Sequence, residues 1–127
     1  MKLKGATARV LADVVYGPED ATVKLLFANG AELRADYWRV VNGSKAGISS
    51  FDHHQIYGLP TRIDAVQQLS EQLQDKPVSD ATLDRETGDL LFRFGDDVKL
   101  QILNFTGYEV WEIKFPDGTG QYSNYAK

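Results

Sequence analysis

The 127 residues point to an α+β protein: an antiparallel sheet made of two pseudo-repeated β-meanders, with one central amphipathic helix packed on it. Three observations carry this expectation. Apolar and polar residues alternate through several short runs, a hairpin-like segment of the first half recurs in the second, and one mid-chain stretch switches to helical period. One domain accounts for the whole length, with a β half over 6–56, a helix over 61–74 and a second β half over 78–125.

The repeat orders the rest. Residues 25–33 read Leu-Leu-Phe-Ala-Asn-Gly-Ala-Glu-Leu and residues 92–100 read Phe-Arg-Phe-Gly-Asp-Asp-Val-Lys-Leu, which aligns Phe27 and Leu33 with Phe94 and Leu100. Each is followed by an acidic residue two before a tryptophan, Asp36 before Trp38 and Glu109 before Trp111. A turn dipeptide comes next, Asn42-Gly43 and Asp117-Gly118. In the first copy Val23, Leu25 and Phe27 alternate with Lys24, Leu26 and Ala28 up to Asn29-Gly30, a pair that tolerates the positive φ of a tight hairpin. In the second, Leu90, Phe92 and Phe94 lead through Gly95-Asp96-Asp97 to Val98, Leu100 and Ile102. Ala8 to Tyr16 and Val78 to Arg85 supply a further strand ahead of each hairpin. The first copy continues from Glu32 to Val41 as one long strand, whereas the second inserts a turn at Asn104 to Tyr108.

The helix is bounded by chemistry. Pro60 blocks extension backwards, Thr61 offers a capping hydroxyl, and Asp64 three residues later favours the helix dipole. Ile63, Val66, Leu69 and Leu73 fall on one stripe, and Pro77 stops further turns.

From Trp38 to about Tyr122 the chain resembles a group of small uncharacterised bacterial proteins. The resemblance rests on Trp38-Arg39-Val40, Ser50-Phe51-Asp52-His53, Tyr57-Gly58-Leu59-Pro60, Thr87-Gly88-Asp89-Leu90 and Gly107-Tyr108-Glu109-Val110-Trp111. It implies an accessory protein of the kind found in mobile gene cassettes or beside toxin systems, and no particular activity.

Composition excludes several classes. A net charge of -4 disfavours nucleic acid as a partner. The absence of cysteine removes disulfides, thiol nucleophiles and thiolate metal sites. Apolar runs of only a few residues predict neither an export signal nor a membrane span, so a soluble cytoplasmic chain is expected. The Asn42 to Gly47 turn lacks P-loop spacing, and neither a nucleophile elbow nor a dinucleotide fingerprint follows any strand. No catalytic residue, cofactor or metal is therefore assigned.

The candidates for a polar pocket or interface are Asp36, Trp38, Asp52, His53, His54, Tyr57, Tyr108, Glu109 and Trp111. Asp52-His53-His54 joins both histidines to a carboxylate, although neighbours on an extended chain face opposite ways and cannot share one metal. Asp36 and Glu109 lie on otherwise apolar strand faces, where a carboxylate is costly unless it is paired. Across a repeat axis the two could form an acid/base pair, or each could bind an arginine such as Arg34, Arg39 or Arg93 at a strand end. Tyrosines and open strand edges favour homodimerisation. The functional expectation is a protein-interaction or inhibitor-type module for a basic partner. The alternative is a small-molecule binder or enzyme whose pocket lies between helix and sheet and uses Glu109, Asp36 and a histidine.

Overall fold

The computed structural model describes residues 2–13 and 20–124, so the expectations for Val14, Tyr16 and Tyr125 fall outside the described residues. In chain order the elements are β1 (Ala8–Ala12), β2 (Val23–Phe27), β3 (Glu32–Ala35), β4 (Trp38–Asn42), β5 (Lys45–Ser49), a 3₁₀ turn (Ser50–Asp52), α1 (Ala65–Leu73), β6 (Val78–Leu83), β7 (Leu90–Phe94), β8 (Val98–Ile102), β9 (Trp111–Lys114) and β10 (Gly120–Tyr122). The strands form two antiparallel five-stranded sheets, ordered β1-β2-β3-β9-β10 and β5-β4-β8-β7-β6. The sequence leaves open whether the strands form one sheet or two, and the structure has two. So short a helix cannot cover the apolar side of all these strands, and the second sheet supplies that cover.

Alternation puts the core between the sheets. Val23, Leu25, Phe27, Leu33, Ala35, Trp111 and Ile113 of the first sheet are buried, as are Trp38, Val40, Leu90, Phe92, Phe94, Val98, Leu100 and Ile102 of the second. They belong to one cluster, and Phe27 stacks on Phe92 from the opposite sheet with ring centroids 6.0 Å apart. The strand expected over Glu32 to Val41 is broken in two. β3 pairs with β9 in the first sheet, whereas β4 pairs with β8 in the second. The chain crosses between sheets at Asp36 and Tyr37 and crosses back between Leu103 and Val110. The crossings are tied together, because the Asp36 N–H donates to the Val110 carbonyl and the Leu103 N–H to the Tyr37 carbonyl, both at 2.9 Å.

The helix begins later than its sequence signals indicate. Asp64, not Thr61, is the cap, accepting from the Gln67 N–H at 2.9 Å. The preceding residues are held elsewhere: the Ile63 N–H donates to the Gln55 carbonyl and the His54 N–H to the Ile63 carbonyl, closing a loop over 54–63. Ala65, Val66, Leu69 and Leu73 are the buried stripe. The helix lies mainly along β1, an edge of the first sheet, with smaller contacts to β5, an edge of the second. It bridges two sheet edges. Among the described residues no helix is long and apolar enough to cross a membrane.

Leu69 is fully buried at the middle of this stripe. Leu69→Ala is expected to lower unfolding free energy by about 2–5 kcal/mol. At the exposed Gln68, alanine should change it by less than about 0.5 kcal/mol. Urea denaturation followed by tryptophan fluorescence measures both.

Candidate interaction surface

Two of the sequence candidates are core residues. Trp38 and Trp111 are fully buried, and each indole is satisfied by a backbone carbonyl. Trp38 Nε1 donates to Ala21 at 2.9 Å and Trp111 Nε1 to Gly88 at 2.8 Å. The main-chain N–H of Trp38 donates to Ser50 Oγ at 3.1 Å, and that of Trp111 to Ser123 Oγ at 3.2 Å. Buried polar groups require such partners, so these bonds fix the indoles in the core.

Asp52 and His53 both bond to nearby backbone. Asp52 closes a capping box, accepting from Ser49 N–H at 2.9 Å while Ser49 Oγ accepts from Phe51 N–H. His53 Nδ1 accepts from the Ala65 N–H at 3.1 Å, which serves a donor of the first helical turn. The histidines do not point apart as an extended chain would require. His54 has φ +63°, and this turn brings its ring over His53 with centroids 3.9 Å apart. Among the described residues, no three or more His, Cys, Asp or Glu side chains gather as metal ligands.

The carboxylates separate in the same way. Glu109 precedes β9 rather than sharing its inward row, and it is exposed, so it bears no burial cost. Asp36 is half-buried at the crossing and pairs with Arg34 Nη1 at 2.8 Å, one of the arginines the sequence suggested. Thr22 Oγ1 also lies 3.0 Å from Asp36 and 2.6 Å from Asp20. Among the described residues, no hydrogen bond or ion pair joins Asp36 to Glu109. Of the two arrangements the sequence offered for Asp36, the structure has the one with an arginine, Arg34.

What the structure does bring together is aromatic. Tyr37 stacks on Phe51 at 5.8 Å, and Phe105 meets both edge-on at 5.7 and 5.5 Å. Phe51 and Phe105 remain 53% and 60% exposed. Eight large apolar side chains are exposed among the described residues, and six of them lie in two loops that meet at this contact: Phe51, Ile56, Tyr57 and Leu59 in one, Phe105 and Tyr108 in the other. Backbone bonds brace the first loop, and Tyr57, at φ +48°, donates its hydroxyl to Asp52 Oδ1 at 3.1 Å. Periodicity could not reveal Phe51 and Phe105 as partners, since neither sits in a strand. Their only sequence signal is that both are large aromatics in segments without alternation.

Four of the surface cavities among the described residues bear on the candidates, and one of them adjoins this patch. Asp36, Tyr37 and Phe51 line one of about 320 Å³ with Asp20 and Thr22. Trp111 borders another of about 500 Å³ between Asp84–Gly88 and Gly120–Asn124. Glu109, His53 and His54 line none of the four. No protein-family model, curated protein or solved structure matches the chain.

The Asp52 carboxylate accepting from Tyr57 holds the phenol's pKa above its ordinary value. The neutral form is the one that donates, so the stabilisation is complete below the pKa of an unfolded tyrosine and is lost as pH rises through the folded one. In an NMR titration Tyr57 should ionise later than free tyrosine. Asp52→Asn should remove much of that delay.

Proposed function

We propose that the chain is a protein-interaction module of accessory or inhibitor type, acting in the cytoplasm without catalysis, and that it docks through the Tyr37, Phe51 and Phe105 surface. The observation that carries the reading is the concentration of exposed apolar side chains in two loops that touch. Such a surface costs solubility in an isolated chain and is typical of a binding site. Its partner is a basic protein, a complement to the chain's charge of -4 and to the carboxylate of Asp20, which adds to the Arg34–Asp36 ion pair beside the stacked rings. The small-molecule alternative has less support, because its named side chains do not share a cavity with α1.

A photo-crosslinking residue at Tyr108, which is 83% exposed, should yield one discrete adduct with another protein in cells. The Phe51→Ala, Phe105→Ala double variant should lose most of it at unchanged stability. An adduct only with a second copy of the chain, together with a dimer in sedimentation, would replace this reading by homodimerisation, for which the edges at β5 and β10 offer a second route.

We also infer that the two halves are copies of one five-strand unit, β1 to β5 and β6 to β10. The support is a set of paired contacts at matching positions. Ala21 and Gly88, which receive the indoles, are separated by the same step as Phe27 and Phe94, and Trp38 and Trp111 by the same step as their partners Ser50 and Ser123. The two bonds at the crossings exchange under these steps, Asp36 with Leu103 and Tyr37 with Val110. Tyr37 sits where the second copy inserts its turn, so Asn104 on the near side of that turn corresponds to it as well. Asn124 stands at the place of Phe51, and the amides of Asn104 and Asn124 bond reciprocally at 2.7 Å. The fold accepts polar residues there, so the aromatic surface answers no packing demand. Ser50→Ala should cost about 1–3 kcal/mol by orphaning the buried Trp38 N–H, and Ser123→Ala more, because Ser123 Oγ accepts from the Val110 N–H at 2.7 Å as well as from that of Trp111. Thermal denaturation showing either serine to be dispensable would count against the duplication.

A further inference from the structure

We propose that the groove between β6 and β10 takes an acidic amphipathic helix from a partner protein, as the place between β1 and β5 takes α1. The inference rests on the duplication reading above. Val10 of β1 is opposite Leu25, and Ala81 of β6 is opposite Phe92, the counterpart of Leu25 in the repeat, which makes β6 the counterpart of β1. β10 likewise corresponds to β5. Between β1 and β5 lies a helix with four buried side chains. Between β6 and β10 lies an open groove of about 770 Å³.

The groove has the floor a helix needs. Ala81, Leu83 and Phe115 are partly buried against the core, as Ala8 and Val10 are beside α1, and Pro116 extends the apolar wall. An apolar stripe like Ala65, Val66, Leu69 and Leu73 suits such a floor. The rim supplies the charge. Lys2 and Arg85 border the groove with one carboxylate, Asp117, which the Thr119 N–H and hydroxyl, at 2.9 and 2.6 Å, and the nearby Lys2 keep in its charged form. The rim therefore carries one cation in excess, Arg85, and in a chain of net charge -4 this selects acidic residues on the incoming helix. A second copy is a poor occupant, because its α1 would have to leave a place where Ala65, Leu69 and Leu73 are fully buried.

The test is an amide NMR titration of the full chain with a synthetic peptide. The peptide is residues 61–77 with Gln68→Glu and Gln72→Glu, capped at both ends. Saturating shifts are expected at Ala81, Leu83, Phe115 and Gln121, with affinity about fivefold weaker in an Arg85→Glu protein. A Leu69→Asp control peptide should leave the spectrum unchanged. No shifts up to about 1 mM peptide would overturn the proposal. So would shifts confined to Ala8 and Val10, or saturation of the groove by octanoate when the peptide leaves it silent. A silent groove with both serines costly to remove sinks this proposal alone, whereas a responsive groove with either serine dispensable sinks only the duplication.

Discussion

The architecture depends on the two crossings between sheets. At Asp36–Tyr37 and at Leu103–Val110 the chain leaves one sheet and enters the other, and the crossings hold each other through the Asp36 N–H to Val110 and Leu103 N–H to Tyr37 hydrogen bonds. Each sheet is therefore completed by strands from the opposite half of the chain: β9 and β10 finish the sheet begun by β1 to β3, and β4 and β5 finish that of β6 to β8. The buried tryptophans open the strands just after the crossings. Their indole and main-chain bonds lock the direction in which each strand departs.

Much of the local structure was legible because it follows from local chemistry. The hairpins at Asn29-Gly30 and Gly95 to Asp97 were readable from alternation and turn residues. So was a helix within 61–74, of which Ala65–Leu73 forms. The division into two sheets was not, since a residue such as Val40 shows the same alternation whichever sheet it joins. The helix starts later than its signals for a related reason. Thr61 and Pro60 carry valid helix signals, but backbone bonds to Ile63 commit that segment to a loop, and nothing in a linear pattern records such competition.

The candidate site was legible only in part. Asp52 and Tyr57 do lie at the proposed surface, and Asp36 borders it, but Trp38 and Trp111 are core, and Glu109 stands apart in solvent. The histidines defeated the extended-chain argument because His54 adopts a left-handed conformation. Phe51 and Phe105 carry no pairing signal in the sequence because their contact joins loops from opposite halves of the chain. A surface made from unpatterned loop residues leaves no periodic trace.

The exchange of strands also bears on how the chain folds. β3 cannot gain its outer neighbour β9 until most of the second half has been made, and β4 waits similarly for β8. Pairings so distant in sequence carry a large loop-closure cost before they are rewarded, which slows folding and couples the halves into one cooperative event. During synthesis the first half leaves the ribosome with β3 and β4 each exposing an unsatisfied side, a sticky interval that ends only when the later strands arrive.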